Sequence, residues 1–172
     1  MAHTPPALVS RRHWLTAAAA VALLGGCGFK LRQAPVFAFQ TLVAPLPDSS
    51  PLRRELRLAL VAVGLQVWDT VPPAGADAVL EVLADQREKS VVGSTAAGQV
   101  REFQIRTRFR FRLSTPQGKV LIEDSEILLQ RDISYSETLA LSKVDEEAQL
   151  YRDMQTDIVQ QVLRRLASVR SL

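Results

Sequence analysis

The sequence predicts an α+β fold, with two helices packed on one face of a mostly antiparallel four-stranded sheet in the order β-α-β-β-β-α. Three observations carry this. Residues 106–113, "RTRFRFRL", put Arg106, Arg108, Arg110 and Arg112 at every second position with Thr107, Phe109, Phe111 and Leu113 between them, which is a strand period. The turn signal "TPQG" then leads into a second extended segment, giving a hairpin. Two stretches, one after residue 50 and one at the end of the chain, repeat their apolar residues at helical spacing.

In chain order, residues 36–44, "VFAFQTLVA", read as the first strand. "PLPDSSP" breaks it. Ser50 is placed to cap a helix with Pro51 at its first position. Leu52, Leu56, Leu60 and Val63 form its apolar stripe and Gly64 suits its end. "LQVW" is a short extended piece before the turn-rich "DTVPPAGAD". Residues 78–92 form the second strand, residues 100–114 the third and residues 119–135 the fourth. The last helix is expected over residues 143–169, with Ser142 and Asp145 as a capping-box-like start. Its apolar face runs through Val144, Ala148, Tyr151, Met154 or Gln155, Ile158, Val162 and Leu166.

The beginning of the chain has a different character. Arg11 and Arg12 precede an apolar run from Trp14 to Leu24, too short for a comfortable membrane span, and "GGC" follows. This is the anatomy of a secretory signal. "LLGGC" resembles the lipobox of bacterial lipoproteins, in which the cysteine is lipidated and becomes the new N-terminus. Cys27 is the lone cysteine of the 172 residues, so it has no disulfide partner within the chain. Residues 1–26 are therefore read as a removed signal, residues 27–35 as a lipidated tether, and residues 36–172 as one domain. "SRRHWL" also resembles a twin-arginine export motif, and the sequence leaves the general and twin-arginine routes open. Gly28 in place of aspartate implies, by the same resemblance, sorting to the outer membrane.

Removing the signal takes Arg11 and Arg12 from the 21 basic residues and none of the 18 acidic ones, leaving 19 against 18. It also removes both histidines, His3 and His13. A mature chain with no histidine and no free thiol excludes serine–histidine triads, cysteine–histidine pairs and histidine-ligated zinc. Carboxylate chemistry is what remains. Glu123, Asp124 and Glu126 are the densest acidic group on a strand, but neighbouring strand residues face opposite ways and arginines face these acids. A glycosidase pair flanking a cleft is not expected.

The four arginines need neutralising charge or an anionic partner. With Thr115 opposite Lys119, the hairpin register sets Arg110 against Asp124 and Arg108 against Glu126, leaving Arg106 against Leu128 and Arg112 against Ile122. Two readings stay open: a solvated face with partial internal pairing, or a surface that meets an anion. Nucleic acid is not the expected partner, because export argues against it and the cationic face has no stacking aromatics. Phe103, Ile105, Phe109, Phe111 and Leu113 on the opposite face are core.

Four stretches together resemble one family. They are "CGFKLR" (residues 27–32), "PLRRELRLALVAVGLQV" (51–67), "REFQIRTRFRF" (101–111) and "LALSKVDEEAQLYRDMQTDIVQQVLRRL" (139–166). They resemble LptE, the lipopolysaccharide-assembly outer-membrane lipoprotein family, across nearly all of the mature chain. The resemblance implies a non-enzymatic protein, without cofactor beyond the covalent lipid on Cys27. It would plug and help assemble the LptD β-barrel and contact lipopolysaccharide during insertion into the outer leaflet. It implies an outer-membrane location, lipid-anchored, with the domain on the periplasmic side or within the barrel lumen. Lys143 matches the lysine of the family's "LA-x-K" pattern, associated with lipopolysaccharide contact. The family's basic residue before the Glu–aromatic–Gln entry is missing from "GSTAAGQV", and the row Arg106, Arg108, Arg110 and Arg112 would compensate. The alternative is a lipoprotein adaptor of another cell-envelope transport complex.

Overall fold

A computed structural model of the chain describes residues 35–72, 74–136 and 140–172. The signal, the lipobox with Cys27 and the "CGFKLR" stretch lie outside the described residues. The elements are β1 (Thr41–Val43), α1 (Arg53–Ala62), β2 (Gln66–Trp68), β3 (Ala78–Ser94), β4 (Val100–Ser114), β5 (Val120–Ser134) and α2 (Ala140–Leu166). The sheet has five strands in the order β2-β1-β3-β4-β5. β3, β4 and β5 form a long antiparallel meander, whereas β1 pairs parallel with both β2 and β3.

This corrects the expected four strands. "LQVW" is not a connection but a parallel edge strand, Gln66 to Trp68 opposite Thr41 to Val43. Three residues are too few to show an alternation. The pairing comes from α1, which carries the chain back beside β1 in a βαβ unit. β1 is also shorter than expected. Asp77 Oδ2 accepts the N–H groups of Gln40 and Thr41 at 2.9 and 2.8 Å just where the strand begins. At its other end Leu46 donates its N–H to the Ala44 carbonyl at 2.9 Å, a tight bend around Pro45 that ends the strand.

α1 starts two residues later than predicted, with Leu52 at the N-cap position and no side-chain cap. The Ser50 hydroxyl is engaged elsewhere: it donates to Asp85 Oδ2 on β3 at 2.5 Å. The C-terminus matches expectation. Leu65 donates to Leu60 and Gly64 to Val61, with Gly64 at φ +91°, the paired bonds of a Schellman motif. α2 begins at Ala140, so Ser142 lies inside the helix and is not its cap, and it ends at Leu166 instead of Val169.

Both helices cover the same sheet face. Leu56 and Leu60 of α1, Ile158, Val162 and Leu166 of α2, and Leu80, Phe109, Phe111 and Leu113 of the sheet form one buried core. Toward the far end of the meander the core thins to Ile105, Ile133 and Met154. The N-terminal half of α2 overhangs it, and there Val144 is 62% exposed and Ala148 is exposed, against the expectation that both lie on the buried face.

Phe109→Ala should destabilise the domain by about 3–5 kcal/mol, read by urea unfolding. Gly64→Ala should cost about 1 kcal/mol. A Cβ at residue 64 meets nothing within 4 Å, so that loss measures the backbone conformation alone.

Candidate functional site: the arginine ladder and the cleft beneath the second helix

β4 assigns its two faces by parity. Ile105, Thr107, Phe109, Phe111 and Leu113 are buried under the helices, while Arg106, Arg108, Arg110 and Arg112 occupy the open face at intermediate exposure. The expected register is displaced. β5 carries one extra residue between the partners of Ser114 and Leu113, and another between those of Leu113 and Phe111. Arg110 therefore faces Glu126, Arg108 faces Leu128, and Arg106 faces Gln130. Two single-residue bulges together shift the pairing by two, so every side chain keeps its face.

The displacement produces a ladder in which guanidinium and carboxylate groups alternate. Arg112 binds Asp124 Oδ1 through Nη2 at 2.7 Å and Nε at 2.8 Å. Asp124 Oδ2 lies 3.5 Å from Arg110 Nη2. Glu126 Oε2 lies 4.0 Å from Arg110 Nε and 3.8 Å from Arg108 Nε. The Asp124 hydrogen bond and charge hold the Arg112 guanidinium above its ordinary pKa, with Glu81 and Glu123 adding to the effect. Arg106 differs from the other three. Its Nε donates to Gln104 Oε1 at 2.8 Å, while Gln104 Nε2 donates to Asp132. It has no carboxylate ion pair among the described residues. Asp124 and Glu126 are thus partners of arginines on an open face.

Lys143 sits in the second turn of α2. Its Nζ bonds Glu146 Oε2 at 2.6 Å and Ser134 Oγ, on β5, at 3.3 Å. The helix roofs one sheet face and the arginines line the other, so Lys143 and the row do not form one site.

A second feature escaped the reading of the sequence. A cleft of about 540 Å³ opens between β3 and the N-terminal half of α2, with Arg87, Lys89, Tyr151 and Gln155 among its lining residues. Arg87 donates to Gln155 Oε1 at 2.6 Å and stacks 5.1 Å from the Tyr151 ring centre. Lys89 Nζ bonds Glu147 at 2.5 Å and lies 4.2 Å from the Phe103 ring centre. Gln155 passes on to Glu55 of α1 at 2.8 Å. Tyr151 donates to the Glu88 carbonyl at 3.1 Å. Burial raises its phenol pKa, Glu147 adds to that, and Arg87 opposes it. The available signal was "ADQREK", where charged residues take over the row of β3 that Leu80 and Val82 begin as apolar.

The described residues define a two-layer α+β module with one roofed face and one open charged face. A family model described as LptE, lipopolysaccharide-assembly, matches residues 39–166, which is most of the chain. The chain belongs to this family, and its role is accordingly not enzymatic. The solution structure of lipoprotein B from Nitrosomonas europaea superposes with a TM-score of 0.68 at 29% identity, covering 82% of this chain and 91% of that one. Rare lipoprotein B from Shewanella oneidensis matches at TM-score 0.62 and 23% identity, covering 75% and 95%. A minor lipoprotein from Acinetobacter baumannii matches at 0.62 and 21%, covering 77% and 94%. These last two bear on the fold alone. A search of curated proteins gives no match.

Asp124→Asn should lower the urea midpoint at low salt, and the loss should shrink as salt screens the remaining charges. For Tyr151 the sign follows from its raised pKa. The unfolded chain ionises first, so its contribution is complete below about pH 10 and is lost as pH rises through the folded value. Tyr151→Phe should flatten that alkaline decline, measured by thermal unfolding across the range.

Proposed function

We propose that this chain is a lipid-anchored outer-membrane lipoprotein that plugs and helps assemble an LptD-like β-barrel and contacts lipopolysaccharide as it enters the outer leaflet. The family match over residues 39–166 is the observation that carries this reading. Residues 1–26 serve as the export signal, Cys27 carries the lipid, and residues 27–35 tether the domain to the membrane. More than one acyl chain is needed for a stable anchor.

The physical features agree with such a role. A plug inside a barrel meets a polar lumen wall, and the open face of β4 and β5 presents a balanced ladder of arginines and acids. Balanced charge permits docking without a large uncompensated desolvation cost. Lipid A phosphates suit guanidinium forks. Within the row Arg106 is the one with no carboxylate ion pair among the described residues, which makes it the first of the four to engage a phosphate. Lys143 holds its ammonium in a two-point contact at the end of the sheet, available by exchange of Glu146 for a phosphate.

Lipopolysaccharide titration of the purified domain tests the contact residues. Lys143→Gln and the fourfold Arg106, Arg108, Arg110 and Arg112→Gln variant should each weaken binding, by about three- to tenfold for the single lysine. Unchanged binding in the fourfold variant would remove the row from the site and leave it as internal pairing.

A further inference from the structure

Among the described residues, β3 has a long edge with no strand beside it. It pairs with β1 only through Ala78 and Val79. The next position that could continue this pairing, opposite Glu81, is reached by Pro45, which has no N–H to give. The strand pairing ends there, and beyond it the β1–α1 connection touches β3 through the Ser50 hydroxyl on the Asp85 carboxylate.

The direction of the free backbone groups follows from the meander. Thr115 donates its N–H to the Lys119 carbonyl at 2.8 Å, and Tyr135 donates to the Arg101 carbonyl at 2.7 Å. Both bonds show that odd-numbered residues of β4 address β5. Even-numbered Arg106 and Arg108 therefore address β3, at Glu88 and Gln86. Because backbone groups alternate sides along a strand, Asp85, Arg87 and Lys89 point theirs outward.

The opposite edge of the sheet is defended. On β5 the Glu126 carbonyl accepts from Arg165 and the Gln130 carbonyl from Arg131, each at 2.9 Å. Edge backbones blocked by side chains resist added strands. On β3 no described side chain reaches the carbonyls of residues 85, 87 or 89. Between the bulges at residues 82–84 and 91–93 the β3–β4 register is unbroken, so the edge is regular where it is free.

We propose that the outer edge of β3 at residues 85–89 accepts a β-strand from a protein partner, with acidic side chains at the alternate positions that face the cleft. Edge addition supplies main-chain hydrogen bonds, and the flanking pocket supplies the choice of side chain. The chemistry of that pocket is cationic. Arg87 and Lys89 project on the cleft side of the strand and Arg152 lines the helical wall, against the carboxylate of Glu147, while Asp85 at the end of the same row is bonded by Ser50. Arg87 is held by the neutral amide of Gln155 and the Tyr151 ring, so its charge has no ion-pair partner among the described residues. Both cations are exposed. The inference does not rest on the lipopolysaccharide reading.

The probe is a synthetic peptide of about nine residues alternating glutamate and valine, long enough to span the free edge, with a lysine-for-glutamate peptide as control. Binding to the 15N-labelled domain is followed by amide shifts and hydrogen exchange. The expected result is saturable binding of the acidic peptide with new protection of the Arg87 and Lys89 amides, and at least about tenfold weaker binding of the control. Lys89→Pro removes an outward N–H and leaves the β4 ladder intact, and should cost at least about tenfold. Lys89→Thr keeps the N–H and should cost only about two- to threefold. If Lys89→Pro does not fold, exchange protection at Arg87 in the unaltered chain decides alone. Absence of protection, or equal loss in the proline and threonine variants, overturns the proposal. So does a concentration-dependent dimer in sedimentation that masks these amides, which would give the edge to a second copy.

Discussion

One strand governs this molecule. β4 places an aromatic and aliphatic row on one face and a guanidinium row on the other, and a strand cannot serve one demand without meeting the other. The apolar row fixes where both helices lie, because Phe109, Phe111 and Leu113 are the floor of the main core. The charged row then has to be neutralised on the open face by whatever lies beside it. β5 meets that need through two bulges, which move Asp124 and Glu126 into the spaces between the arginines. A flush register would have left Arg112 beside Ile122. Core packing and surface electrostatics are thus settled by the same strand.

The second constraint is the length mismatch between the two helices. α1 has ten residues and α2 has 27. Where α1 stops covering the sheet, the roofed face of β3 changes from Leu80 to Asp85, Arg87 and Lys89. A polar seam replaces the core: Arg87 to Gln155 to Glu55, and Ser50 to Asp85. This seam holds α1 against α2 while leaving one side of α2 open. The domain therefore has a tightly packed half and a half with a thin core, charged walls and exposed apolar residues such as Leu141, 84% exposed.

Most of the architecture was legible because its signals are periodic. β4 follows from the period-two arginine row at residues 106–113, the end of α1 from Gly64, and the core face of α2 from Ile158, Val162 and Leu166. Three things were not legible, each for a local reason. β2 is too short to show a period and exists because α1 returns the chain to β1. The hairpin register depends on bulges, which no residue type in "VLIEDSE" announces. The helix start at residue 50 failed because Ser50 found a better partner in Asp85, 35 residues away. The functional side divides similarly. The arginine row was visible as a pattern, while the cleft depends on the packing of α2 over β3, which joins residues about 60 positions apart.

The most direct test of the assembly role is affinity purification of the tagged full-length chain from detergent-solubilised outer membranes, with mass spectrometry of what accompanies it. The account predicts a large β-barrel protein at about a one-to-one ratio, as a closed plug-and-barrel pair requires. Recovery of the chain alone, or with an inner-membrane transporter, would contradict it and favour an adaptor of another envelope complex.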